Sequence, residues 1–157
     1  DLKGLLADCR EAVLLAATLS QEVDALLRRT QLADLSRCLV LESCATAAIE
    51  EVCDRAEGLI TAEFPGKSLT SRFSPGYGDL PVTVQGEFLA LLDAPRRIGL
   101  CATGSSILTP RKSVTAVLGL REGAGNGEKP EGCGGGCQSC ALRCRCPYQK
   151  KEDRHGL

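Results

Sequence analysis

Residues Ile98 to Leu120 read IGLCATGSSILTPRKSVTAVLGL, and they fall into three runs rich in β-branched and apolar side chains: Ile98–Ala102, Ser106–Thr109 and Ser113–Leu120. Gly104 and Pro110 break them apart, a pattern that predicts short, mostly antiparallel strands. Upstream the period lengthens. Leu32–Ile60 carries Leu35, Leu39, Ala48, Val52 and Leu59 at helical intervals with charges between them, and Glu22–Arg29 behaves in the same way, so two helices are expected. The apolar run Glu11–Leu19 fits either a buried strand or the end of a helix, since periodicity does not separate the two. After Pro81, the positions Val84, Phe88, Leu91 and Leu92 fit a helix of about ten residues that ends before Pro95. Helices first and strands later, without strict alternation, predict an α+β fold with long helices packed on a mostly antiparallel sheet.

The length, 157 residues, and a 43% hydrophobic share are enough for one packed domain. Its limits follow from composition. Residues 1–121 have the apolar density of a core, whereas Glu122–Gly136 is mostly Gly, Glu, Asn and Pro, so residues 122–157 read as a flexible Gly-rich linker and a Cys-rich tail. With 19 basic against 20 acidic residues the net charge of −1 gives no field to hold nucleic acid or an acidic membrane. Apolar runs such as Ala12–Leu19 are far short of the ~20 residues needed to cross a bilayer, and no basic-then-apolar leader opens the chain. A cytoplasmic location is the expectation. The sequence has no methionine and starts at Asp1, so the chain is expected to be a fragment.

The densest chemistry lies in Arg72-Phe73-Ser74-Pro75-Gly76-Tyr77-Gly78-Asp79-Leu80-Pro81. Arg72 offers a planar fork of donors to a carboxylate or phosphate. Gly76 and Gly78 let backbone approach a ligand closely, and Tyr77 adds a flat amphipathic face between them. A tight turn with a salt-bridged arginine would use the same residues.

Together with the block Ile98–Val114, this segment resembles the activation domain of cobalamin-dependent methionine synthase. That family carries Arg-x-x-Pro-Gly-Tyr, then Ile-Gly-x-x-Leu-Thr-x-Ser, then Pro-x-x-Ser-Val. The first motif is matched by Arg72, Pro75, Gly76 and Tyr77, and the last by Pro110, Ser113 and Val114. In the middle motif Ala102 stands where the family usually has Leu, and Gly104 where Glu or Asp is common. The resemblance spans roughly Ala12 to Gly119. It implies a domain that binds S-adenosylmethionine and presents its methyl group to cob(II)alamin on a partner synthase, with one electron supplied by a flavodoxin-like or ferredoxin-like donor. By the same resemblance Arg72 would bind the ligand's carboxylate, backbone around Gly76, Tyr77 and Gly78 would line the adenosine, and Tyr77 would face the corrin. An acid near the amino or sulfonium group would complete the site, and Glu50 and Glu51 on the long helix are of the type the family uses; a solvated helix surface explains such a pair equally. The modules for homocysteine, folate and cobalamin are absent, so the chain would act in trans as an activating module and not as the methionine-forming enzyme.

The ten cysteines form two populations. Cys9, Cys38, Cys44, Cys53 and Cys101 sit singly in apolar or helical contexts and read as small buried hydrophobes. Cys133, Cys137, Cys140, Cys144 and Cys146 crowd into one glycine-rich segment, where thiolates would repel unless a cation neutralised them; zinc or an iron–sulfur cluster fits. The run is similar to the bacterial ferredoxin pattern, with its first spacing one residue too long and its Cys-Pro displaced. A second function class follows, a metal-binding accessory or electron-transfer protein that docks a corrinoid protein; a sensor of S-adenosylmethionine is a third. The single histidine, His155, lies in a polar terminal run, and Ser105 and Ser113 lack an evident base, so hydrolase chemistry is disfavoured.

Overall fold

The computed structural model describes residues 1–123, which form an α+β fold. A short helix α1 (Leu2–Leu5) leads into strand β1 (Cys9–Thr18), helix α2 (Ser20–Ala33), the long helix α3 (Leu35–Glu63) and strand β2 (Lys67–Leu69). A loop and a 3-10 turn (Val82–Val84) bring the chain to helices α4 (Gln85–Leu91) and α5 (Ala94–Ile98), then to strands β3 (Cys101–Ala102), β4 (Leu108–Thr109) and β5 (Ser113–Glu122). The sheet order is β1-β5-β2, antiparallel throughout, and β3 and β4 form a separate hairpin. No helix among the described residues is long and apolar enough to cross a membrane.

The ambiguous run Glu11–Leu19 resolves as β1. Its partner β5 lies in the middle of the sheet, which explains why residues Thr115 to Leu120 are buried without alternation: both faces of the central strand are covered. On one face Leu15, Ala17, Ala116 and Leu118 pack against Ile49 and Cys53 of α3. On the other, Ala16 packs against Leu89, Ala94 and Leu100 of the α4–α5 region. Each fully buried leucine here contributes roughly 2 kcal/mol. At Gly119 a Cβ would lie 2.4 Å from Cys9 Sγ and 2.8 Å from Leu6 Cδ2, so glycine is what lets α1 close on the sheet.

Helix α3 starts at Asp34, whose side chain accepts a 3.0 Å hydrogen bond from the Arg37 amide, a side-chain N-cap. The helix occupies the expected range but turns a different stripe inward. Cys38, Ala45, Ile49 and Cys53 are buried, whereas Leu35, Leu39, Ala48, Val52 and Leu59 are exposed. Three of the four inward side chains, Cys38, Ala45 and Cys53, are small, and Leu35, Leu39 and Leu59 are left exposed. The reading of the five scattered cysteines as buried hydrophobes holds for Cys38 and Cys53; Cys9 is half-buried, and Cys44 and Cys101 are exposed.

Candidate functional site

The segment that holds Arg72 runs alongside β5 after β2 has ended. Lys67, Ser68 and Leu69 pair in regular register with Glu122, Arg121 and Leu120. Phe73 then pairs with Val117, exchanging both backbone hydrogen bonds at 3.0 and 2.8 Å. Four steps on this side oppose three on β5, so one residue is extra, as in a β-bulge. Because side chains alternate between faces, the extra residue moves Arg72 from the α4 side of the sheet to the α3 side. Thr70 anchors the bulge: its amide donates to Gly119 O at 2.9 Å and its hydroxyl accepts from the Gly119 amide at 2.8 Å.

On the α3 side Arg72 meets three carboxylates. Its Nη2 lies 2.9 Å from Glu50 Oε2 and 3.2 Å from Asp54 Oδ1, and its Nε lies 3.2 Å from Glu57 Oε1. Glu50, Asp54 and Glu57 are spaced i, i+4 and i+7, one face of a helix. The arginine side chain is only 23% exposed, and its Nη1 is buried with no hydrogen-bond partner among the described residues. Beneath it, burial pushes the Cys53 thiol up from its ordinary pKa, against the opposing pull of the Arg72 charge, so the thiol stays protonated at neutral pH.

Past Phe73 the chain folds into overlapping turns. The Tyr77 amide donates to Ser74 O at 3.1 Å, the Leu80 amide to Tyr77 O at 3.0 Å and the Gly76 amide to Leu80 O at 2.8 Å. Gly76 and Gly78 take φ of +99° and +48°, the left-handed region that favours glycine. Tyr77 is carried at the tip, 69% exposed. The turn is tied to α1 by the Leu2 amide, which donates to Asp79 Oδ1 at 2.8 Å and holds that carboxyl below the usual range. The chain then enters α4, where Gln85 Nε2 donates to Thr115 Oγ1 on β5 at 2.8 Å.

The last motif lies at the start of β5. Ser113 Oγ donates to Pro110 O at 2.6 Å, and Lys112 reaches α3, with Nζ 2.6 Å from Glu42 Oε2 and 2.9 Å from Thr46 Oγ1. This hydrogen bond holds the Glu42 carboxyl below its ordinary range. Next to it, the Arg111 amide donates to Asp24 Oδ2 at 2.9 Å.

Of the residues expected at the site, Arg72 and Glu50 are brought into contact, and Pro75, Gly76, Tyr77 and Gly78 form the adjoining turn. Glu51 points elsewhere, paired with Arg55 at 2.8 Å. Asp54 and Glu57 were not singled out from sequence, although their spacing from Glu50 carries the signal. The cysteines Cys133, Cys137, Cys140, Cys144 and Cys146 lie outside the described residues, and among the described residues no group of three or more His, Cys, Asp or Glu is placed to hold a metal ion. Family models and curated proteins give no match to the chain.

Proposed function

We propose that this cytoplasmic chain binds S-adenosylmethionine through Arg72 and the Pro75–Gly78 turn and supports reductive methylation of cob(II)alamin carried by a separate cobalamin-dependent methionine synthase. The observation that supports this reading is the bulge between Leu69 and Phe73, which aims Arg72 at Glu50 and holds the first motif against β5, the strand that opens with the last motif. A guanidinium beside carboxylates suits a ligand that carries a carboxylate together with an ammonium and a sulfonium. The exposed Tyr77 supplies a flat face for the corrin. The partner's cobalamin would take the methyl group after one-electron reduction by a flavodoxin-like or ferredoxin-like donor, the electrons of the methyl–sulfur bond staying on sulfur, and this chain would be left holding S-adenosylhomocysteine.

An anaerobic calorimetric titration of S-adenosylmethionine into the chain tests the reading. Saturable binding is expected, lost in Arg72→Ala and weakened in Arg72→Lys, which keeps the charge and loses the fork. No binding by the folded wild-type chain overturns it. Methyl transfer to the synthase's cobalamin separates an activator from a sensor.

The cysteine spacing favours a second reading, a zinc or iron–sulfur accessory or electron-transfer protein that docks a corrinoid protein through residues 1–121 and uses Cys133, Cys137, Cys140, Cys144 and Cys146 as ligands. Under it Arg72→Ala leaves partner docking and metal content intact. A chain purified anaerobically and reconstituted with iron and sulfide that shows no visible absorption near 400 nm removes the iron–sulfur branch.

A further inference from the structure

We propose that the outer edge of strand β1 is the interface of a symmetric dimer of this chain, in which β1 pairs antiparallel with the β1 of a second copy and continues the sheet. In the order β1-β5-β2 the ten-residue β1 pairs with β5 alone, so its other side presents a row of backbone donors and acceptors without a strand partner among the described residues. Charge and irregularity, which blunt such edges, are confined to its first three residues. The register slips between Cys9 and Glu11, and Arg10 and Glu11 are its only charged positions. From Ala12 to Ala17 the strand is apolar and in continuous register, with Ala12 exposed and Val13, Leu14 and Ala16 half-buried. An open edge of that length and composition associates unless something covers it.

The flank of α3 beside this edge fits a second copy as the cover. Val52 and Leu59, 39% and 74% exposed, stand i and i+7 on one side of the helix. At about 100° per residue, that side is opposite the one on which Glu50, Asp54 and Glu57 meet Arg72. Arg72 follows β2, so the flank with Val52 and Leu59 is turned to the β1 side of the sheet. The charges that border it, Glu51 and Arg55, pair with each other at 2.8 Å and bring no net charge to a contact. A twofold axis normal to the sheet keeps both copies of α3 on one face and turns these flanks toward each other, whereas a foreign extended segment would cover the backbone edge and leave Val52 and Leu59 in water. Centred on Leu14, the pairing sets apolar residues against apolar residues from Ala12 to Ala16 and brings no like charges opposite. The flanks add apolar area to the strand edge, toward the roughly 800 Å² per partner of a stable interface.

The test is sedimentation velocity on the full chain over a series of concentrations, with a thiol reductant present so that the exposed Cys44 and Cys101 cannot cross-link copies. Wild type is expected to sediment as a dimer at high concentration and to dissociate on dilution. Ala12→Lys sets a charge on the strand edge and Leu59→Glu sets one on the helix flank; both positions are exposed, and an unchanged circular dichroism spectrum checks that each variant folds. Each is expected to weaken the dimer about tenfold or more, while Leu32→Glu, 90% exposed near the end of α2, leaves it unchanged. Should Ala12→Lys fail to fold, Leu59→Glu carries the test alone. A wild type that stays monomeric at every concentration overturns the dimer and leaves the edge to an extended segment of another protein. A dimer that survives either folded variant, or that Leu32→Glu weakens equally, overturns the assignment to β1.

Discussion

Helix α3 receives a cation from each of the two sequence motifs, and the two attachments are built differently. Near its N-terminal half, Lys112 meets Glu42 and Thr46, the Arg111 guanidinium lies 4.0 Å from the same Glu42, and the Arg111 backbone amide donates to Asp24: two cations face one helix carboxylate. Further along, Arg72 faces Glu50, Asp54 and Glu57. The first arrangement gathers two cations on one helix carboxylate and has the character of a tether between the start of β5 and the helix. The second gathers three helix carboxylates on one arginine whose side chain is 23% exposed. Both use the same helix and the same kinds of side chain, and they differ in how many cations and carboxylates meet: two cations on Glu42, and one cation among Glu50, Asp54 and Glu57.

Breaking the two attachments in turn gives the largest contrast. Arg72→Ala removes a mostly buried stem and leaves three carboxylates without their common partner, at an expected cost of about 2 kcal/mol in urea unfolding together with the loss of ligand binding. Lys112→Ala should cost about 1 kcal/mol and leave ligand affinity unchanged. If Lys112→Ala also abolishes binding, the tether is part of the site and the contrast fails.

Acidification sharpens the same comparison at a smaller scale. The Glu42 carboxyl is held below its ordinary value by the hydrogen bond from Lys112, so its protonation opposes folding. The sign is therefore that of a depressed carboxyl: its contribution is present above the unfolded value of about 4.3 and is lost as the pH falls through the lower folded value. The stability gap between wild type and Glu42→Gln should be constant at neutral pH and close on acidification. A gap that persists into strong acid would show that Glu42 acts through packing.

How much of this was legible in the sequence depends on what each feature rests on. The strands at Cys101–Ala102, Leu108–Thr109 and Ser113–Glu122, the two helices and the α+β class follow from periodicity and from punctuation by Gly104 and Pro110, which are local signals, whereas Ile98, expected to open a strand, closes helix α5. The inward face of α3 did not follow, because three of its four buried side chains, Cys38, Ala45 and Cys53, are small, and the larger Leu35, Leu39 and Leu59 that the fold leaves exposed dominate the helical pattern. Arg72 and Glu50 could be named from motif and residue type, but their contact depends on a one-residue bulge opposite Val117, and the extra residue is invisible until the strand pairing is known. Asp54 and Glu57 needed only the helical spacing from Glu50; what hid them is that acids at this interval are ordinary on a solvated helix face.

The smallest expected effect is the one most diagnostic of the imbalance. If Glu50, Asp54 and Glu57 crowd one guanidinium, the third charge adds repulsion as well as attraction, and neutralising the most exposed of them should cost almost nothing. Asp54→Asn keeps size and a polar contact to Nη2 while removing one of three like charges, so its unfolding free energy should stay within about 0.5 kcal/mol of wild type, on either side of zero. The corresponding swap at the other attachment, Glu42→Gln, removes the hydrogen-bonded counter-charge of Lys112 and should be clearly destabilising at neutral pH. Comparing the two amide substitutions by urea unfolding at one pH isolates charge stoichiometry from size. Equal losses at both positions would mean that Asp54 is as necessary to the fold as Glu42 is.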